Sequence, residues 1–135
     1  MGVLGAFPVL AIVVAAYNVL FVFGSRAVGD VLTSVTFPSG DIWPITVGDT
    51  IIVTALALVL IELVSVGAGR VAVVNHALSA LVFIICLVEL FFVRGCGTLE
   101  FAILTLIVGL DVLAGYSLTA RLARQNLVSA PLRPN

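Results

Sequence analysis

Residues 71–93 read VAVVNHALSALVFIICLVELFFV and contain one formally charged side chain, Glu89. A helix needs about 20 mostly apolar residues to cross the hydrocarbon core of a bilayer, where each unpaired backbone group costs several kcal/mol. This stretch is long enough and apolar enough to do so. We therefore interpret the chain as a membrane protein whose main solvent is hydrocarbon.

The composition of the whole chain agrees with this interpretation. Of its 135 residues, 62% are hydrophobic and 10% are charged, and the mean hydropathy is +1.33. Soluble domains carry about 25% charged residues, which they need to cover a surface in contact with water. The net charge of −1 argues against a nucleic-acid partner, because binding to phosphates requires a clustered basic surface.

Three further stretches have the length and composition of membrane helices. The sequence thus predicts an all-α membrane protein of one domain, a four-helix transmembrane bundle. The expected helices cover about residues 7–24, 48–66, 71–93 and 99–122, and a tail follows at 123–135. Because no basic residue precedes the first stretch, we interpret it as a membrane helix rather than a secretory signal peptide.

The connections between these helices differ in length. Short glycine-containing turns at 67–70 and 94–97 are typical of antiparallel neighbours. The connection at 25–47 contains two β-prone runs on either side of Pro38-Ser39-Gly40-Asp41. This pattern predicts a β-hairpin between helices 1 and 2, and a re-entrant or irregular interfacial loop is the alternative. We expect Trp43 at the level of the lipid headgroups, where an amphipathic ring is favoured.

Two carboxylates have expected structural roles at the starts of helices. Thr46-Val-Gly-Asp49 has the spacing of a capping box, which satisfies backbone N–H groups at the start of the second helix. Glu100 falls in the first turn of the fourth helix, where a negative charge complements the helix dipole. Neither residue is therefore expected to take part in catalysis.

The arginines predict an orientation in the membrane. Four spans place Arg70 on the same side as the C-terminal arginines, and place Arg26 and Arg94 on the other side beside most of the acidic residues. The more basic side of a membrane protein usually faces the cytoplasm. All basic residues are arginine, a composition common in GC-rich bacterial genomes. We expect a bacterial inner-membrane protein with both termini in the cytoplasm and the hairpin in the periplasm.

Several polar residues fall at membrane depth, where an ionisable group is costly and is by default a functional hypothesis. Glu62, Asn75, His76 and Asp111 are expected to form an intramembrane polar cluster in the cytoplasmic half. These groups either hydrogen-bond across the helix interfaces or form a proton or cation path with His76 as a relay. Near the periplasmic end, we expect an ion pair between Glu89 and Arg94.

His76 has further possible roles. Ala72 precedes it by four residues, an arrangement found in bacterial light-harvesting polypeptides, so a pigment or haem ligand is one alternative. A metal site with Glu62 and Asp111 would lack ligands spaced by three or four residues. We therefore predict no metal and no other cofactor. No nucleophile–base pair, phosphate loop or Cys/His metal motif is present, so we do not expect an enzyme.

Three stretches carry a resemblance to a known group of proteins. FPSGDIWPITVGD (37–49), NHALSALVFIICLVELFFVRG (75–95) and DVLAGYSLTARLARQN (111–126) resemble segments of small four-span inner-membrane proteins of alphaproteobacteria. The resemblance implies a location in the bacterial inner membrane. It implies no activity, so it assigns no functional residue.

The small size and the lack of a catalytic set favour one function. We expect a non-enzymatic accessory or scaffolding subunit of a larger inner-membrane assembly, in contact with lipid and with other subunits or copies of itself. One alternative is an oligomeric proton or cation channel or transporter that uses Glu62 and Asp111. Another is a pigment- or haem-binding subunit that uses His76.

Overall fold

The computed structural model of the chain describes residues 8–65 and 70–128. Over these ranges the chain is mostly helical and has one small antiparallel sheet of two strands. In chain order the elements are α1 (Val9–Tyr17), a π-helical segment (Asn18–Val22), β1 (Val31–Thr36), β2 (Ile42–Thr46), α2 (Val47–Ser65), α3 (Arg70–Phe92) and α4 (Leu99–Val128).

Three of the expected spans are helices that are long and apolar enough to cross a membrane, which indicates a membrane protein. They contain the apolar windows Val47–Val64, Val74–Phe92 and Leu99–Ser117. The first predicted span, 7–24, is described as a helix only over Val9–Val22. At about 1.5 Å per residue this helix is about 21 Å long, less than the roughly 30 Å of a hydrocarbon core. Residue 7 lies outside the described residues, and the helix ends before the polar pair Ser25-Arg26.

α4 is longer than the sequence predicted. It continues to Val128, so residues 123–128 of the expected tail are helical, and residues 129–135 lie outside the described part. The extension follows from its sequence, since residues 121–128 read RLARQNLV and contain good helix formers with neither glycine nor proline. α3 begins at Arg70, and the rest of the predicted turn at 67–70 also lies outside the described residues.

The predicted β-hairpin is present. β1 pairs with β2 in antiparallel register, with Val35 opposite Trp43. In the turn, the N–H of Phe37 donates to the carbonyl of Asp41 and the N–H of Gly40 donates to the carbonyl of Phe37, both at 2.9 Å. Gly40 has a φ of +89°, a conformation that glycine adopts without steric cost. The glycine of the Pro-Ser-Gly-Asp run therefore fixes this turn.

The hairpin joins α2 without a linker. The predicted capping box is confirmed, because the Asp49 carboxylate accepts from the Thr46 N–H at 2.9 Å and the Asp49 N–H donates to the Thr46 hydroxyl at 3.1 Å. The N–H groups of Val47 and Gly48 donate to the carbonyls of Asp30 and Val28 at 2.9 and 3.0 Å. These bonds satisfy the first N–H groups of α2 and attach the base of the hairpin to the helix.

The connection between α3 and α4 is a tight turn, as predicted. Gly95 has a φ of +95°, and the N–H of Cys96 donates to the carbonyl of Val93 at 3.3 Å. The Thr98 hydroxyl accepts from the Phe101 N–H at 3.2 Å, which is the geometry of a helix N-cap. α3 and α4 are therefore antiparallel neighbours.

α1 and α4 each contribute four of the buried apolar side chains of the core. α4 packs against both α2 and α3, and α1 packs against α2. We call the end of the bundle that carries the sheet and the α3–α4 turn the hairpin end, and the opposite end the Arg70 end. The buried apolar side chains are Leu10, Val13, Val14, Tyr17, Ala55, Cys86, Cys96, Phe101, Leu104, Ile107 and Val108.

Replacing Thr46 by alanine tests the joint between β2 and α2. We expect Thr46→Ala to destabilise the protein by about 1 kcal/mol, because it removes the N-cap acceptor of α2. Amide hydrogen exchange in detergent should become faster at residues 48 and 49, with a lower midpoint of thermal unfolding. Thr54→Ala, on the exposed face of α2, is the matched control. Equal exchange rates in the two variants would contradict the capping role.

Candidate functional site: two buried polar groups in the helix bundle

Five polar side chains come together between α2, α3 and α4 toward the Arg70 end. None is more than 7% exposed. We call this group the polar cluster: Glu62, Asn75, His76, Ser79 and Asp111. It contains all four residues of the intramembrane cluster that the sequence predicted, and it adds Ser79.

Glu62 and Asn75 connect α2 to α3. The Asn75 amide donates to the Glu62 Oε1 at 2.6 Å. The Glu62 carboxyl group also lies near the backbone of Val9 at the start of α1, and its Oε2 makes no hydrogen bond within the described residues. The carboxyl group of Glu62 is thus placed where three helices meet, with one oxygen bonded and one without a partner.

His76 faces α4. From its position on α3, the sequence places it on a different face from Asn75. The structure shows that this second face is also buried, because the imidazole lies against the backbone of Gly115, where an added Cβ would overlap the ring. The Tyr116 ring lies 6.4 Å away between centroids. Consecutive residues of α3 thus contact two different neighbours, Asn75 toward α2 and His76 toward α4.

Ser79 and Asp111 face each other across α3 and α4. The two side chains are near each other, but the Ser79 hydroxyl and the Asp111 Oδ2 are not in hydrogen-bond geometry. Asp111 lies close enough to Glu62 and to His76 for their charges to interact. Six buried atoms of the cluster have no hydrogen-bond partner among residues 8–65 and 70–128: Glu62 Oε2, Asn75 Oδ1, both ring nitrogens of His76, Ser79 Oγ and Asp111 Oδ2.

Buried polar atoms normally have partners, so six unpartnered atoms in one cluster require an explanation. Among residues 8–65 and 70–128, no three His, Cys, Asp or Glu side chains are placed to hold a metal ion. The imidazole packs against Gly115, and a pigment or haem ligated by His76 stays a prediction from the sequence. Water or an exchangeable proton is small enough to satisfy the unpartnered atoms.

A second polar group lies near the hairpin end. The Asn18 amide nitrogen donates to both oxygens of Glu89, at 2.9 and 3.0 Å. The sequence predicted an ion pair between Glu89 and Arg94 instead. Neither residue takes part in an ion pair in the described part of the chain, and Arg94 is exposed. This prediction was wrong because Asn18, which follows the first helix, is the residue that hydrogen-bonds both oxygens of the Glu89 carboxylate.

Tyr17, Cys96 and Thr98 complete this second group, which we call the hairpin-end network. The Tyr17 hydroxyl lies 2.7 Å from the Thr98 hydroxyl and donates to the Gly95 carbonyl at 3.3 Å. The Cys96 thiol donates to the Asn18 Oδ1 at 3.6 Å. Both cysteines are free and buried.

A π-helical segment positions Asn18 for this network. The Phe23 N–H donates to the Asn18 carbonyl at 3.0 Å, five residues back rather than four. Such a segment holds one extra residue per turn and often occurs at functional sites. Tyr17 and Thr98 are not among the functional residues predicted from the sequence. Thr98 has a detectable signal, a threonine immediately before an apolar helix, but the sequence carries no comparable signal for Tyr17.

An apolar layer separates the polar cluster from the hairpin-end network. Along α3, Glu89 follows Ser79 by ten positions, which corresponds to about 15 Å of helix. Every helix contributes completely or almost completely buried apolar side chains at this level: Val14, Ala55, Cys86, Leu104 and Val108. Thr105 is also buried, but its hydroxyl donates to the Phe101 carbonyl of its own helix at 2.8 Å.

Trp43 lies on the hairpin, away from both polar groups. It is 53% exposed, and its ring is stacked with that of Phe37 at 6.0 Å between centroids. The expected position of Trp43 at the level of the lipid headgroups stays a prediction.

Gly115→Ala tests the close packing of His76 on α4. The added methyl group overlaps the imidazole, so α3 and α4 must separate or the ring must move, and we expect a loss of about 1–3 kcal/mol. Thermal unfolding in detergent measures this change. Gly97→Ala is the matched control, since a Cβ at Gly97 meets no atom within 4 Å. Equal stabilities of the two variants would contradict the packing.

The reactivity of Cys96 tests the hairpin-end network. Burial raises the pKa of the Cys96 thiol, and the nearby negative charge of Glu89 raises the pKa further. Because the thiolate is the reactive form, alkylation of a Cys86→Ala protein should reach its half-maximal rate at a higher pH than the roughly 8.5 of an exposed cysteine. Glu89→Gln removes the charge and should shift this profile to lower pH. Mass spectrometry after iodoacetamide labelling measures the rates, and coincident profiles would contradict the contact.

The chain was compared with known proteins at three levels. No protein-family model, curated protein or solved structure matches it. The likeness to four-span inner-membrane proteins stays a prediction from the sequence.

Proposed function

We propose that this chain is a non-enzymatic integral membrane protein that conducts protons through its own helix bundle, with Glu62 and Asp111 as proton-binding groups. The observation that carries the proposal is a set of six polar atoms, on five buried residues from three helices, that have no partner within the part of the chain that the structure describes. Such groups are costly at membrane depth, and in membrane proteins they mark ion and proton pathways.

A proton fits the cluster better than a metal cation does. A buried carboxylate without a counter-charge costs several kcal/mol, and a proton removes that charge without requiring a cage of ligands. Glu62 and Asp111 each accept one proton to become a neutral carboxyl group and release it to become a carboxylate. His76 is close enough to both for charge interaction, and an imidazole can carry a proton between the two acids because one ring nitrogen can accept a proton while the other releases one.

The hairpin-end network supplies a second proton-exchanging station. Glu89, bonded to Asn18, lies toward the opposite end of the same bundle, which also carries the paired Tyr17 and Thr98 hydroxyl groups. The apolar layer between the two stations is where a closed conductor would be interrupted, because hydrophobic constrictions block conduction until they take up water. The proposed proton path runs through the helix bundle of a single copy of the chain. It differs from a pore formed between several copies.

An accessory or scaffolding subunit of a larger membrane assembly is the second candidate. The same apolar layer favours it, because no polar side chain bridges the two stations within the described helices. In this alternative the polar cluster holds α2, α3 and α4 together and moves no ion. In both candidates we propose a bacterial inner membrane, with the Arg70 end in the cytoplasm, on the basis of the arginine distribution.

Proton flux into proteoliposomes distinguishes the two candidates. Purified protein is reconstituted, a potassium gradient with valinomycin supplies the driving force, and a pH-sensitive dye inside the vesicles reports proton entry. We expect wild-type flux above that of empty vesicles and at least a tenfold loss in Asp111→Asn, because an amide cannot release a proton. Asp41→Asn, in the exposed turn of the hairpin, is the control and should retain wild-type flux.

Val108→Thr adds a hydroxyl group to the apolar layer with little change of volume. The proposal predicts faster flux in this variant, because the layer takes up water more easily. Background flux in both the wild type and Val108→Thr would eliminate the conductor. The accessory alternative then requires partner chains that co-purify from native membranes in mild detergent, and a lone monomer would count against it.

A further inference from the structure

The hairpin has one apolar face that no described part of the chain covers. Residues directly opposite each other in an antiparallel pair point to the same face, so Val35 and Trp43 share a face with Thr33 and Ile45. Phe37 extends this face by stacking its ring on Trp43 with an angle of 17° between the planes. Val35, Phe37 and Trp43 are 43%, 43% and 53% exposed. We call Val35, Phe37, Trp43 and Ile45 the aromatic face.

The opposite face of the hairpin mixes polar and apolar residues and has no aromatic ring. It carries Ser34 and Thr36, paired with Pro44 and Ile42, and Val31 opposite Thr46. Val31 and Ile42 are 59% and 69% exposed. Neither strand contains a charged residue, since β1 reads VLTSVT and β2 reads IWPIT. A two-stranded hairpin that is surrounded by water is marginally stable at best. The aromatic face is therefore expected to contact another surface, either lipid or protein.

The bundle keeps this face close to a bilayer. β2 ends at Thr46 and α2, whose apolar window begins at Val47, follows immediately. Trp43 lies four residues before that helix, so at about 3.3 Å per residue it is within about 13 Å of the hydrocarbon boundary even if the hairpin stands upright. The capping box and the bonds from Val47 and Gly48 to the hairpin base hold the two elements together.

Other exposed aromatic rings lie at the same end of the bundle. Phe23 follows the π-helical segment, and Phe91 and Phe92 end α3. Their side chains are 83%, 75% and 82% exposed. These rings and the aromatic face therefore lie at the same end of the bundle, where α3 ends and α2 begins.

We propose that the aromatic face binds the lipid bilayer and lies in its interfacial region, with Trp43 at the level where the acyl chains meet the headgroups. The ligand is a phospholipid surface, and the contact is apolar and aromatic rather than electrostatic. The hairpin is then an anchor that fixes the depth of α2 in the membrane. This inference depends on the membrane location of the chain but not on proton conduction.

Trp43 reports on this contact directly, because it is the single tryptophan of the chain. The full chain is reconstituted into phosphatidylcholine vesicles whose acyl chains carry bromine either near the headgroup or near the bilayer centre. We expect at least twofold stronger quenching of the fluorescence by the shallow bromine than by the deep one. Acrylamide in the water should quench the protein less than it quenches free tryptophan.

Variants on the two faces separate binding from folding. Phe37→Ser, on the aromatic face, should weaken quenching by the shallow bromine at least twofold. Ile42→Ser, on the opposite face and 69% exposed, should leave it unchanged. Both variants should keep the helical circular dichroism of the wild type, because neither residue packs in the bundle core.

Two results would overturn the proposal. Full acrylamide quenching with no effect of brominated lipid would place the hairpin in water. Protection of Trp43 from both quenchers would show that protein covers the face, either a second copy or another chain. Neither result depends on the flux measurement, so a failed anchor and a failed conductor can be told apart.

Discussion

A polar atom buried between helices that face hydrocarbon can be satisfied only by other protein atoms, trapped water or a proton. This constraint organises the whole chain. It explains why Asn75 is directed at Glu62 and why Asn18 is directed at Glu89, with bond lengths of 2.6 to 3.0 Å. It also explains why the remaining atoms of the polar cluster matter, since their partners are not among the side chains around them.

The two polar groups are satisfied to different degrees. In the hairpin-end network, Asn18, Glu89, Tyr17, Thr98 and Cys96 all make hydrogen bonds, so this region is closed and well determined. Within the described residues, the polar cluster near the Arg70 end makes one side-chain hydrogen bond across its helices, from Asn75 to Glu62. A satisfied network stabilises a bundle, whereas an incompletely satisfied one retains capacity to bind. This difference is why we place the proton-binding groups at Glu62 and Asp111.

The sequence predicts the elements well wherever a local rule decides the structure. Glycine at position 40 fixes the hairpin turn, Thr46 and Asp49 start α2, and apolar runs long enough to cross the hydrocarbon core predict α2, α3 and α4.

The sequence predicts less well where the outcome depends on which helices become neighbours. The pairing of Glu89 with Arg94 looked favourable along the chain, but the π-helical segment turns Asn18 toward Glu89, and no periodicity rule predicts that turn. The end of α4 was also misjudged, because apolarity marks where a helix leaves the membrane and not where it stops being helical.

The short connection between α3 and α4 also bears on how the chain enters a bilayer. An aspartate at the centre of a single inserting helix costs about 2.5–3.5 kcal/mol. In this chain Asp111 faces Ser79 and His76 of the preceding helix, and only six residues, 93–98, separate α3 from α4. The two helices can therefore partition into lipid as one hairpin, with the carboxyl group already shielded from the acyl chains. Insertion as a pair is cheaper than insertion of α4 alone, and it places His76 beside Gly115 before α1 and α2 have to pack.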